Sequence, residues 1–269
     1  VLTLAATPIG NLDDCTTRLQ QQLQSADLVY AEDTRHARKL LGHLGIRRRM
    51  RSFHDHSPPT VLQKIERELT EGKHLVYISD AGTPLLNDPG YELVRLAIDL
   101  GVAVDHLPGP CAVINALVLS GLPPDAFCFL GFFPTKPAKK EALLNRLPQL
   151  AMTTIFFESP QRIRRTLAFL AKNLPDVPMA LCRELTKRHQ QVLRGTAGEI
   201  NDGLDVEKGE MVLVMGKVEK VGPTLTLEER QRELQASGMR PNQIAKLLAS
   251  EFRLPKREVY AKLTEGKDA

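Results

Sequence analysis

Leu75-Val76-Tyr77-Ile78 followed by Ser79-Asp80-Ala81-Gly82-Thr83-Pro84-Leu85-Leu86-Asn87-Asp88-Pro89-Gly90 is the stretch that decides the fold. The apolar run leaves no room for a normal hairpin, so it reads as a buried strand ending in a loop of Gly, Pro and short polar side chains. Open α/β sheets bind their ligands at the carboxyl ends of such strands. Small residues let a ligand approach the backbone closely, and Asp80 and Thr83 add side-chain oxygens, so the Asp80, Ala81, Gly82, Thr83 loop is the expected cofactor contact. The same residue types also suit a tight turn and the N-cap of a following helix.

Working outward, apolar runs near 1–5, 27–31, 74–79 and 102–107 alternate with helical patterns, the mark of βα units around a mostly parallel sheet. Pro108-Gly109-Pro110 opens a run from Cys111 to Leu119 that is apolar on nearly every face and reads as a helix buried against that sheet. After the linker at 121–125, further strands are expected at 127–133, 153–158, 179–184, 190–194 and 211–216, which make a second α/β domain. Ser159-Pro160 reads as an N-cap and first-turn pair, with Ile163, Leu167, Leu170 and Leu174 at helical spacing behind it. Beyond Val221-Gly222-Pro223 the strand pattern stops, and helices are expected over 227–236, 241–252 and 256–263. The expected division is therefore an α/β domain over 1–120, a second α/β domain over 121–221 and a helical tail over 222–269. The turn Ser237-Gly238-Met239-Arg240-Pro241 gives this tail the outline of a helix-turn-helix. Its nine basic against seven acidic residues from Thr224 onward leave RNA binding and protein docking both open.

With 42% hydrophobic and 25% charged residues among 269, the chain can bury a substantial core. Cys15, Cys111, Cys128 and Cys182 lie far apart with no C-x-x-C spacing, which argues against zinc, implies no metal and suits a reducing cytosol. Nothing resembles a signal peptide, and the longest apolar stretch, 111–122, is too short for a membrane span, so a cytoplasmic protein is expected. The net charge of +4 is mild, but basic residues cluster at Arg47, Arg48, Arg49 and Arg51, at Lys136, Lys139 and Lys140, at Arg162, Arg164 and Arg165, and at Lys187-Arg188. Such clusters hold phosphates or form solvated faces.

Thr7-Pro8-Ile9-Gly10-Asn11-Leu12 stands where a dinucleotide-binding loop would, yet it lacks G-x-G-x-x-G, which disfavours NAD or FAD. Ala31-Glu32-Asp33-Thr34-Arg35 places carboxylates and a guanidinium at a strand end, either as helix caps and ion pairs or lining the same cleft as Asp80. Phe53-His54-Asp55-His56 adds titratable groups that suit polar loop positions. Phe156-Phe157-Glu158-Ser159-Pro160 and Cys182-Arg183-Glu184-Leu185-Thr186-Lys187 repeat the theme of an apolar strand with a polar end, and Gly209-Glu210-Met211 opens the last strand. Strand ends of this kind in both halves point to a cleft.

These motifs, with Leu107-Pro108-Gly109-Pro110-Cys111-Ala112 and Lys208-Gly209-Glu210-Met211, together resemble the ribosomal RNA small subunit methyltransferase I family, of the class III, tetrapyrrole-methylase-like enzymes. The likeness runs in family order over about four-fifths of the chain. It implies two α/β domains of tetrapyrrole methylase type with S-adenosylmethionine between them, and a homodimer. It also implies methyl transfer to the ribose 2'-hydroxyl of a cytidine in the decoding centre of 16S rRNA, within the small ribosomal subunit. The family's cofactor positions correspond to Pro8, Asp80 to Thr83, Cys111, Ala112, Phe157, Cys182, Glu210 and Met211. Phe157, where the family often has Tyr, and Pro160-Gln161, where it often has Thr-His, are local departures.

A ribose hydroxyl is a weak acid, so positioning and a nearby base or cation are the expected sources of rate. Glu32, Glu184 and Lys187 are the candidates for that assistance, with Arg35 and Arg183 holding phosphates or orienting the carboxylates. The three basic clusters from Arg47, Lys136 and Arg162 are the expected RNA contacts. Competing readings are methylation of a tetrapyrrole or other small molecule on the same scaffold, and a non-enzymatic ribosome-assembly factor.

Overall fold

The computed structural model describes residues 1–219, 227–252 and 254–265. The first sheet is built from β1 (Leu2–Ala5), β2 (Leu28–Ala31), β3 (Met50–Ser52), β4 (Leu75–Ile78) and β5 (Val104–Leu107), all parallel in the order β3-β2-β4-β1-β5. Its central strands β2, β4 and β1 are buried at every position because both faces are covered. On one face Val29, Ala31 and Val76 pack with Leu19 and Leu23 of α1 (Thr17–Ser25) and Leu40 and Leu41 of α2 (Thr34–His43). On the other, Leu28, Tyr30 and Tyr77 pack with Ile65 and Leu69 of α3 (Pro59–Thr70) and Leu93 of α4 (Tyr91–Asp99). The short strand β3 was not expected from sequence. Three residues with one apolar side chain carry no period, and β3 exists because its backbone pairs with β2, Val29 opposite Met50 and Ala31 opposite Ser52.

The second sheet holds β6 (Phe127–Phe132), β7 (Thr153–Glu158), β8 (Met179–Arg183), β9 (Gln191–Gly195) and β10 (Met211–Met215) in the order β6-β7-β10-β8-β9. Only β6 and β7 run parallel. The apolar helix α5 (Ala112–Ser120) corrects one expectation: Val113, Ala116 and Leu117 pack on Ile155, Ala180, Cys182 and Val214, so it covers the second sheet rather than the first. A helix apolar all round has no moment to select a sheet, and its left-handed cap at Gly121 (φ 74°) turns the chain into the second one.

A helix α6 (Pro137–Leu150) follows β6, and α7 (Ile163–Asn173) and α8 (Ala197–Gly203) complete this half. The start of α7 is a second correction. Ser159-Pro160 is not its cap: the Ser159 carbonyl accepts the N–H groups of Arg162 and Ile163, forming a turn, and the helix begins at Ile163. The Ser159 N–H and the Thr166 hydroxyl instead serve the buried Glu158 carboxylate, at 2.7 and 2.6 Å, which draws Ser159 away from a capping position.

By internal contacts the chain divides into Val1–Leu144 with Met152–Lys217, which holds both sheets, and Asn145–Ala151 with Val218–Ala269. The latter carries α9 (Leu227–Ala236), α10 (Pro241–Phe252) and α11 (Lys256–Glu265) around Leu234, Ile244, Leu248 and Val259. The composition break at Val221-Gly222-Pro223 lies outside the described residues. Among the described residues no helix is long and apolar enough to cross a membrane.

Candidate active site

The loop after β4 is tied to the loop after β1. Gly82 and Thr7 exchange both backbone hydrogen bonds, at 2.9 and 3.0 Å, and Gly82 holds φ 74°. The side-chain oxygens of this loop are already engaged: the Thr83 hydroxyl donates to the Pro110 carbonyl (3.2 Å), and Asp80 accepts the Asp33 N–H (3.1 Å) and faces the His36 ring (3.3 Å). The loop therefore presents backbone rather than side chains. Of the five non-glycine residues with positive φ among those described, Leu85 and Asn87 lie here and Glu184 and Thr186 in the loop after β8. Backbone strain of this kind concentrates where a ligand is clamped.

A cavity of about 360 Å³ opens between these loops and the second sheet, within the range of roughly 300–1,000 Å³ usual for small-molecule sites. Ile9, Ala81, Gly82, Thr83, Leu86 and Asp88 line one side, Cys111 to Val113 the base of α5, and Phe132, Phe157 to Pro160 and Gly209 to Val212 the other. Cys111 at the α5 N-cap position makes no side-chain capping bond, so the first amides of that helix reach the cavity wall uncapped. The Phe157 ring is held edge-on between Phe129 (4.8 Å) and Phe132 (5.7 Å).

Two acidic centres flank the cavity. Burial pushes Glu32 above the ordinary carboxylate range against the Asp80 N–H that it accepts, with the charges of Asp80 and Asp55 adding to the rise. Burial likewise pushes Asp88 up to about 6, opposed by a Ser79 hydrogen bond and reinforced by Glu32, Asp80 and Asp55. On the other side Lys187 Nζ bridges Glu184 (2.9 Å) and Glu210 (3.1 Å), and Glu184 also accepts the Glu210 N–H (3.0 Å). Burial opposes ionisation of both partners, yet the Lys187 bond holds Glu184 below its usual value and the two carboxylates hold Lys187 above its own. Glycines make room for this bridge. A Cβ on Gly10 would sit 2.3 Å from the Lys187 stem, and one on Gly209 2.4 Å from the Glu184 carboxyl.

The shift of Asp88 has a measurable consequence. With a folded value near 6 and an unfolded value near 3.8, its contribution to stability is intact below about pH 4 and is lost as pH rises through 6, at a cost of up to about 3 kcal/mol. Asp88→Asn is therefore expected to stabilise the fold at pH 8 and to leave it nearly unchanged at pH 4. Urea unfolding at the two pH values measures this, and an equal effect at both would show that Asp88 ionises freely.

Residues 1–201 match the tetrapyrrole (corrin/porphyrin) methylase family. The chain is 39% identical over 268 residues to the ribosomal RNA small subunit methyltransferase I of Halalkalibacterium halodurans, covering 96% of this chain and 93% of that one. It is 40% identical over 271 residues to the protein of that name from Mesorhizobium japonicum, covering 99% and 92%. The chain belongs to the ribosomal RNA small subunit methyltransferase I family. In fold it is similar to the uroporphyrin-III C-methyltransferase of Thermus thermophilus complexed with S-adenyl homocysteine, at 17% identity and a TM-score of 0.54 over 79% of this chain and 96% of that one.

Ribosomal RNA small subunit methyltransferase I proteins are S-adenosylmethionine-dependent, and the cavity fits that cofactor. Its apolar walls suit a flat ring, the uncapped amides of α5 suit a carboxylate, and Asp88 and Glu210 suit a positive centre. Of the family positions mapped on the sequence, Ala81, Gly82, Thr83, Cys111, Ala112, Phe157, Glu210 and Met211 line the cavity. Asp80 and Pro8 stand outside its lining, Asp80 because its carboxylate is drawn toward Asp33 and His36. Cys182 is fully buried under α5, its thiol donating to the Ala116 carbonyl and pushed up to about 11 by burial, so its side chain is core rather than cavity wall. Sequence reading gave no cofactor role to Ile9, Asp88, Phe132 or Glu158, which also line the wall. Asp88 had a signal, a second carboxylate in the quoted loop, whereas Phe132 and Glu158 meet the cavity only through the packing of β6 and β7.

Arg35 is exposed and its guanidinium forks onto Asp33 (2.6 Å), the N-cap of α2 that accepts the Arg35 backbone N–H, so it pairs with the cap instead of reaching Glu32. Arg183 bonds Gln191 (3.2 Å). The basic clusters also separate. Arg51 pairs with the buried Glu68 beside Tyr30, Arg162 pairs with Glu158 (2.5 Å), and Arg164 holds the carbonyls of Asn201 and Leu204 with Glu207 at 2.9 Å. These three are structural, because each answers a carboxylate or carbonyl that its own fold brings close. Lys140 lies over Phe169 (4.8 Å) and Phe133. Arg47, Arg48, Arg49, Lys136, Lys139 and Arg165 remain exposed.

Proposed function

We propose that this methyltransferase modifies the ribose 2'-hydroxyl of a cytidine in the decoding centre of 16S rRNA, acting in the cytoplasm as a homodimer on the small ribosomal subunit. The observation that supports the reading is identity near 40% along almost the whole chain to proteins named ribosomal RNA small subunit methyltransferase I. S-adenosylmethionine, when bound, supplies an activated methyl group. The chain's own residues must then orient the hydroxyl, exclude water and accept a proton.

Glu32 is the carboxylate best suited to that proton, because burial raises its basicity and the Asp80 N–H links it to the loop lining the cavity. Glu184 is held ionised by Lys187 and is therefore the weaker base, so the pair serves better to fix Glu210 at the cavity wall. Asp80, Pro8 and Cys182 support the cofactor loops from behind, and the exposed members of the three basic clusters meet the RNA.

The test is methyl transfer from labelled S-adenosylmethionine to 30S subunits and to protein-free 16S rRNA, followed by mapping of the modified nucleotide. An alkali-resistant 2'-O-methyl linkage at one decoding-centre cytidine is expected. Label on a base, or transfer only to a tetrapyrrole, would overturn the reading.

A further inference from the structure

We infer that the solvent face of α2, together with the turn that follows it, is a track for the phosphate backbone of the substrate RNA, leading away from the cavity. The inference rests on the RNA reading above and deepens it. From Thr34 to His54 the chain contains no Asp or Glu, while Arg35, Arg38, Lys39, Arg47, Arg48 and Arg49 all fall there and are exposed. Helical spacing sorts them: Ala37, Leu40 and Leu41 face the core, which leaves Arg35, Arg38 and Lys39 together outside.

Arg35 is neutralised by Asp33, but among the described residues Arg38, Lys39, Arg47, Arg48 and Arg49 have no ion-pair partner. Two cations nearby are answered, Arg51 by Glu68 and Arg18 by Asp105 (3.3 Å). Unpaired exposed cations occur elsewhere among the described residues too, as at Lys136, Lys139 and Arg165; what marks this strip is that five of them fall in one segment with no Asp or Glu.

The strip also has shape. Arg38, Arg47 and Arg48 surround an open hollow of about 510 Å³ whose floor is Leu41, Gly42, Ile46 and Met50. Three guanidiniums above an apolar floor suit a phosphodiester with its sugar seated below. Nothing lies within 4 Å of the place a Cβ on Gly42 would take, so the floor is open to the solvent side. The helix end does not repel an anion strongly, because the carbonyls of Leu40, Leu41 and Gly42 accept the N–H groups of Leu44, Ile46 and Gly45.

The strip begins beside the cavity. His36 in the first turn of α2 faces Asp80, and Asp80 precedes the Ala81 to Thr83 wall. Ten residues of helix span about 15 Å, room for four or five phosphates at the roughly 3.4 Å per-strand spacing of a duplex.

The test measures binding of a fluorescent 16S rRNA transcript against salt, with S-adenosylmethionine binding by calorimetry on the same proteins. Arg38→Ala/Arg47→Ala/Arg48→Ala should weaken RNA binding at least tenfold at low salt and flatten the log–log salt slope by about 2, three phosphates at about 0.7 each. Cofactor affinity should stay unchanged, and Lys172→Ala, at the exposed end of α7, should behave as wild type. Should the triple variant fail to fold, Arg47→Ala/Arg48→Ala, in the turn, should still flatten the slope by more than 1. A wild-type slope in variants that still methylate would remove the track alone. A wild-type protein that binds cofactor but modifies no rRNA would remove the parent reading instead. Normal binding to free rRNA with weakened binding only to 30S subunits would also overturn the track, assigning the strip to a ribosomal protein.

Discussion

Gly82→Val is expected to lower S-adenosylmethionine affinity by about 100-fold while the protein remains folded. Gly82 holds φ 74°, a conformation that costs an L-residue about 1–2 kcal/mol and a β-branched one more. A Cβ there would lie 3.2 Å from Ile9 Cγ2, another wall residue, and the added methyls would enter the cavity. Relief by shifting the loop would break its two bonds to Thr7, so the strain and the lost contacts fall on the same backbone. About 3 kcal/mol of binding corresponds to the stated loss. Calorimetry with S-adenosylmethionine, alongside a thermal melt, measures it, and unchanged affinity in a folded variant would mean that the loop does not contact the cofactor.

The second large effect is expected at Lys187. Its ammonium is the one cation paired with both the Glu184 and the Glu210 carboxylates among the described residues, and its removal leaves two carboxylates near each other beside the cavity wall. Lys187→Ala should reduce methyl transfer about 10²-fold or more and change cofactor affinity less than tenfold. Because the Lys187 stem also packs against Gly10, Lys187→Met is the informative partner: it keeps the stem and removes the charge. Equal loss in both variants assigns the effect to the charge, whereas activity restored by Met would reduce Lys187 to packing. Single-turnover rates with bound cofactor separate the two.

Much of this site was legible before the structure. The run from Leu75 to Gly90 announced a strand with an open carboxyl end, and Gly82, Thr83, Phe157 and Met211 stand in the cavity wall. Apolar periodicity is a local property, and turn residues punctuate it, so nine of the ten strands and the three tail helices could be placed from the chain alone. Basic clusters were harder to read. Arg51 and Arg162 look like Arg48 and Arg165 on paper, and only the approach of Glu68 and Glu158 makes the first pair internal.

The sequence by itself determined the alternation of strand and helix, the polar strand ends and the family pattern they compose, because each depends on neighbours within a few positions. Tertiary structure alone decided that α5 covers the second sheet, that Cys182 is buried beneath it, that Asp88 is a raised carboxyl and that Glu184 is an ionised partner of Lys187. Those properties depend on desolvation and on charges brought together from distant parts of the chain. Both fall off within a few ångströms in space, and distance along the sequence does not report them.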